Sequence, residues 1–189
     1  MPHPSQLRAR ETALFVIDVQ EKLMTKIPNA EAMTRNIAFL LDVATLLDVE
    51  CVATEQYPRG LGPTVAPLLA RLPNRPDKVA FSSCGVPNLV EGLRSRGRAQ
   101  AVLTGIETHV CVLHTAYDLL AANFKVYLAV DALGSRYAID YETALHRLEQ
   151  AGAILTTVET CAFEWIGGSN HPQFKAVSAL VQERMKALT

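Results

Sequence analysis

The sequence is short of aromatics, of net charge and of long apolar runs, and each shortage closes off a class of function. Aromatic residues are 6% of its 189, too few for a surface that stacks nucleic-acid bases. Eighteen Lys and Arg stand against 19 Asp and Glu, a formal net charge of −1. No bulk field gathers a polyanion, and no basic block marks a nucleic-acid or membrane-surface binder. The apolar runs reach only about four to eight residues, far short of the ~20 that a membrane span needs. The opening MPHPSQLRARET has no apolar stretch of the secretory kind. Cysteine is scarce and scattered: Cys51, Cys84, Cys111 and Cys161 form neither a C-x-x-C pair nor a Cys/His cluster at zinc spacing. These features lead us to expect reduced thiols, a cytoplasmic setting, a small-molecule substrate, and no metal or other cofactor.

What is present is a globular composition, 49% hydrophobic and 20% charged, which suits one domain over residues 1–189. Short runs rich in Val, Ile and Leu recur at residues 13–19, 50–54, 79–81, 101–104, 126–130 and 153–158. They are apolar on both faces, as buried parallel strands are. Between them lie stretches with helical spacing at 32–47, 89–96, 110–122, 141–150 and 174–188; in the first, Met33, Ile37, Leu40, Leu41, Ala44 and Leu47 form one stripe. Alternating strands and helices predict an α/β fold, a parallel sheet sandwiched between two helical layers. The Pro/Gly-rich stretch 57–67 reads as a loop.

Active sites of such sheets gather beyond the carboxyl ends of the strands, and three residues there are candidates. Asp18 sits at the tip of the first run, in FVIDVQ, as a catalytic carboxylate or as a cap for a loop. Lys78 opens the third run, as a cation pairing Asp18 and lowering a thiol pKa, or as a solvated lysine beside Asp77. Cys111, in LTGIETHVC, follows a strand that Gly105 breaks, with Thr108 or a neighbour as a cap. It falls in the first turn of a helix, whose N-terminal N–H groups favour a thiolate and an oxyanion. Cys84, in FSSCGVPN, is its rival as nucleophile, whereas Cys51 reads as core. His114 is the one histidine spaced to approach Cys111 from a helix, or else a side chain satisfied elsewhere.

Together, the Asp after VI, the Lys of the third strand and the Cys of GIETHVCVLHTA resemble the isochorismatase-like cysteine hydrolases. The likeness spans roughly residues 12 to 160, with 105–116 its most specific segment. TEQYPRGLGPT, residues 54–64, is similar to the branch of isochorismatase domain-containing proteins. The resemblance implies a six-stranded parallel sheet in the order 3-2-1-4-5-6, Rossmann-like, and a triad of Asp18, Lys78 and Cys111. It also implies a cis peptide before Glu107 and an oxyanion hole from the N–H groups of Glu107 and Cys111. Metal-binding nicotinamidases of this group carry Asp-x-His after the second strand. Here Glu55, Gln56, Tyr57 and Pro58 stand there, and imidazole ligands are missing.

The reaction implied is metal-independent hydrolysis of a C–N bond in a small amide or carbamoyl compound through a Cys111 thioester. Gln20, Leu23, Tyr57, Phe81 and His109 are expected to line the substrate site. The alternatives are a catalytically silent binding or scaffold protein, and a redox-reactive thiol with Cys84 or Cys161 as resolving partner. A ribonuclease reading lacks a basic stripe and a placed histidine pair. Finally, ETCAFEWIGG reads as an arm or loop whose Phe163, Trp165 and Ile166 seek a partner surface; with the family's habit, a homo-oligomer is expected.

Overall fold

The computed structural model describes residues 3–186. Its strands are β1 (Thr12–Ile17), β2 (Glu50–Gln56), β3 (Asp77–Lys78), β4 (Gln100–Ile106), β5 (Lys125–Gly134) and β6 (Ile154–Thr156). They form one sheet in the order β3-β2-β1-β4-β5-β6, and every neighbouring pair is parallel. The helices are α1 (Glu21–Met24), α2 (Ala30–Leu46), α3 (Pro58–Leu61), α4 (Ala66–Leu69), α5 (Leu89–Ser95), α6 (Leu113–Ala121), α7 (Ala138–Gln150), α8 (Val158–Ile166) and α9 (Phe174–Lys186). The expected α/β class, strand order and flanking helices are all present.

All six residues of β1 are buried because both faces of the strand are covered. Leu14 and Val16 join a core with α2, α8 and α9, while Ala13, Phe15 and Ile17 join a second with α5, α6 and α7. This is the period-two alternation of a strand between two layers. From β1 the chain crosses to β2 on one side, and from β4 to β5 on the other. The strand order therefore reverses between β1 and β4, opening a crevice at their carboxyl ends.

Five expectations need correction. Residues 79–81 are not a strand: β3 is the pair before them, and Val79 and Phe81 are exposed. Lys78 closes the strand because the chain then curls so that the Ala80 and Phe81 carbonyls turn back on its ammonium. Because β3 pairs only with Glu55 and Gln56, the start of β2 is a free edge, and Cys51 is exposed rather than core. The ETCAFEWIGG stretch is not an arm. Val158, Cys161, Ala162, Trp165 and Ile166 are spaced for one helix face and bury α8 in the core, leaving only Phe163 of its large apolar side chains exposed. Thr157 caps its N-terminus through the Thr160 N–H, and Gly167 ends it with a φ of 72°. Stretch 57–67 holds α3 and the start of α4 rather than plain loop. The helix expected over 174–188 is observed as α9, and its last residues lie outside the described ones.

Gly105 does not break β4. The strand continues through it to Ile106 at a φ of 111°, with a register shift between Leu103 and Gly105 against β5. A Cβ there would lie 2.1 Å from the backbone oxygen of Ile17. Gly105→Ala is therefore expected to destabilise the fold by about 3 kcal/mol or more, measured as a fall in urea midpoint. At the other edge Glu50 pairs with Arg96 at 2.6 Å and Arg98 at 3.0 Å. Burial alone would raise the Glu50 carboxyl, but the two guanidiniums hold it below its ordinary 4.5. A depressed carboxyl stabilises the fold above its unfolded pKa and loses that contribution as pH falls through the folded one. Glu50→Gln should thus lower the melting temperature at neutral pH, with the gap to the parent closing as pH drops below 4.5.

Candidate active site

At the crevice, the residue after β1 turns sharply. Asp18 has a φ of 52°, a left-handed conformation that Asp tolerates better than most side chains. Its backbone N–H donates to the Thr54 carbonyl at 3.2 Å, and its own carbonyl accepts from Gln20 N–H at 2.8 Å. The carboxylate is fully buried. Lys78 Nζ donates to Oδ2 at 2.7 Å and Thr54 Oγ1 donates to Oδ1 at 2.8 Å. The ammonium also donates to Gln56 Oε1 at 2.8 Å and to the carbonyls of Phe81 at 2.8 Å and Ala80 at 3.2 Å. Two opposite charges thus share one dry position, each with further polar partners, the condition under which buried ions are tolerated.

Cys111 comes from the far side of the crevice. After β4 the Ile106–Glu107 peptide is cis, and Thr108–Val112 form a π-helical turn that runs into α6. No side chain caps this turn; Thr108 Oγ1 instead donates to the Gly134 carbonyl at 3.0 Å. Cys111 is 6% exposed, and it lies close enough to Asp18 for the two groups to influence each other's protonation. The crevice therefore brings Asp18, Lys78 and Cys111 together.

Its resting protonation differs from expectation. Burial and the Asp18 charge push the Cys111 thiol up to about 12, against the opposing pull of Lys78. Burial likewise lifts Asp18 above its ordinary value, while Lys78, Cys111 and Thr54 pull it down. Lys78 and the helix start were expected to favour a thiolate, but desolvation and the Asp18 charge act against them. Burial and the neighbouring Asp18 charge thus favour the neutral form of the thiol.

The expected substrate-binding residues separate into two groups. Tyr57 and Phe81 are 58% and 54% exposed on loops at the site's sheet edge, after β2 and β3. Phe81 also packs on the His114 ring, with centroids 5.8 Å apart. That contact sets the exposed His114 beside Phe81. His109 is half-buried: Nδ1 is 3.0 Å from Ser135 Oγ, and Nε2 is 3.9 Å from Glu107 Oε2 and 3.7 Å from Asp140 Oδ2. Gln20 is not available to a substrate. It is fully buried, its amide nitrogen donating to the carbonyls of Gln56 and Gly62 and its oxygen accepting from Gln56 N–H. Leu23, on α1, packs against the α2-side core and not the cluster holding Cys111.

The Glu107 side chain is buried and paired with Arg136 at 2.6 Å. Glu55, at the end of β2, accepts from Thr64 N–H and Oγ1 and lies 3.3 Å from Arg75. Among the described residues no group of three or more His, Cys, Asp or Glu is arranged to hold a metal. Of the other thiols, burial raises Cys84 to about 11, and it packs beside the Cys111 cluster. Cys161 lies in the core on the opposite face of the sheet, which removes it as a resolving partner for Cys111. Sequence reading passed over Thr54, Gln56, Ser83 and Thr115. Thr54 and Gln56 were accessible through the strand-end rule, since both lie at the carboxyl end of β2.

The isochorismatase domain matches residues 12–160 as a family, and the chain belongs to that family. A curated relative, isochorismatase domain-containing protein 2A of Mus musculus, is 42% identical over 171 residues, covering 90% of this chain and 82% of its own. Among solved structures, the MAR1 ribonuclease from Caenorhabditis elegans superposes with a TM-score of 0.88 at 41% identity, covering 94% of this chain and 93% of its own. The YcaC product of Escherichia coli, described as an octameric hydrolase of unknown specificity, shares the fold with a TM-score of 0.80 at 24% identity and 100% coverage of both chains.

The buried pair allows a direct test. Lys78→Met leaves Asp18 without its counter-charge and is expected to lower the unfolding free energy by about 3–5 kcal/mol at neutral pH. Adding Asp18→Asn should restore part of that loss in urea titrations.

Proposed function

We propose that this protein is a metal-independent cysteine hydrolase that cleaves the C–N bond of a small amide or carbamoyl compound. The observation that supports it most is the grouping of Cys111 with Asp18, a carboxylate that is itself buried against Lys78 at 2.7 Å. Sγ attacks the substrate carbonyl as its proton passes to Asp18, and the N–H groups of Glu107 and Cys111 hold the oxyanion. Asp18 returns the proton to the departing nitrogen, the C–N bond breaks, and an acyl-Cys111 thioester remains. Water then attacks the thioester, giving its proton to Asp18. The C–S bond breaks, and the released thiolate takes the proton back. Lys78 keeps Asp18 anionic between steps. The exposed rings of Tyr57 and Phe81 offer an apolar rim, which suits a small substrate with a flat or apolar body.

The name of the C. elegans relative raises ribonuclease activity as a second reading. The charge balance of −1 and the apolar rim favour a neutral carbonyl compound over a polyanion. No helix of the described residues is long and apolar enough to cross a membrane. A homo-oligomer belongs to the same reading, supported by the octameric description of YcaC.

The test is a panel of primary amides, N-carbamoyl compounds and single-stranded RNA, assayed for released ammonia, amine or nucleotides. We expect turnover of an amide or carbamoyl compound that Cys111→Ser abolishes and Asp18→Asn lowers by about 10³. Turnover that survives in Cys111→Ser, or RNA cleavage with no amide hydrolysis, would overturn the proposal.

A further inference from the structure

The hydrogen bonds behind Asp18 have a direction that the atoms themselves dictate. An ionised carboxylate only accepts, so the 2.8 Å contact between Thr54 Oγ1 and Asp18 Oδ1 uses the single hydroxyl proton of Thr54. The 3.1 Å contact between Thr54 Oγ1 and Ser83 Oγ therefore runs from Ser83 to Thr54. Both hydroxyls are buried, Ser83 completely. Ser83 also reaches the nucleophile by a second route. Its backbone N–H donates to Thr115 Oγ1 at 2.9 Å, and Thr115 Oγ1 donates to the carbonyl of Cys111 at 2.7 Å.

We infer that Thr54 and Ser83 are positioning residues, a one-way hydroxyl chain that holds Asp18 as the proton acceptor for Cys111 and, through Thr115, ties that acceptor to the nucleophile's turn. The inference rests on Asp18 being the base. Lys78 occupies one carboxylate oxygen and Thr54 the other, which restrains rotation of the carboxylate away from the thiol. The chain ends at a buried serine and carries no proton to solvent, so its work is orientation and stabilisation of the charged form. Burial favours protonated Asp18, and the Thr54 donor opposes it. The charged and titratable groups facing this pair are Lys78, the Cys111 thiol and, next to the thiol, Glu107 with its partners Arg136 and His109.

The experiment measures the rate at which iodoacetamide labels Cys111 in the full chain as a function of pH, with the site confirmed by mass spectrometry. Asp18→Asn comes first. If Asp18 is the base, the acid limb of the parent profile disappears in this variant; if the limb persists unchanged, the base reading itself fails and the inference goes with it. With the limb assigned, Thr54→Val is expected to move it to higher pH, so that labelling at a fixed pH on the limb falls about tenfold. Ser83→Ala is expected to move it in the same direction by less, and Thr54→Ser to leave it in place. Circular dichroism confirms folding, and should Thr54→Val not fold, Ser83→Ala decides. A limb unmoved in the folded hydroxyl-free variants while Asp18→Asn abolishes it would overturn the inference alone. So would a limb displaced equally by Thr54→Ser.

Discussion

An aspartate and a lysine held 2.7 Å apart, both out of reach of water, constrain everything around them. Neither charge could be buried alone without a cost of several kcal/mol, so the chain supplies partners to both from three strand ends. Asp18 takes a left-handed turn at the end of β1, where Thr54 at the end of β2 can reach it. β3 stops after two residues because its second is the lysine, and the next carbonyls must turn toward that ammonium. Gln20 and Gln56 interlock behind it. What looks like a loop region of irregular form is the coordination of one buried ion pair.

The thiol is best understood as the third member of that pair. A cysteine beside a lysine at a helix start invites the picture of a standing thiolate, yet burial and the carboxylate raise Cys111 to about 12. In the proposed reaction the thiolate is then made at the moment of attack rather than stored. A neutral resting thiol also resists oxidation and stray electrophiles, because the reactive species for both is the thiolate.

Much of this was legible in the residues. The apolar runs located five of the six strands, and the strand-end rule brought forward Asp18, Lys78 and Cys111. The losses have physical causes. Residues 79–81 look like a strand because apolar residues mark burial on average, but here the local backbone answers to Lys78. Cys51 looks buried because its strand is, but a two-residue neighbour leaves that end of β2 uncovered. The helical stripe of α8 was present in the sequence and was masked by its aromatic content. Gln20 has the chemistry of a substrate ligand, and only the folded chain reveals that every polar atom of its amide is spoken for. The roles of Thr54 and Ser83 depend on hydrogen-bond partners 36 and 29 residues distant, a relation that local patterning does not encode.

The curl after β3 joins two properties usually treated apart. The same short segment gives its carbonyls to the Lys78 ammonium and its Phe81 ring to the rim, where the ring rests on His114. The exposed ring and the carbonyls that solvate the buried cation are therefore one mechanical unit. This segment cannot be remodelled freely: a change of backbone path at 79–81 would also alter the solvation of the buried cation. The Tyr57 side chain, by contrast, can vary without removing any partner of the ion pair.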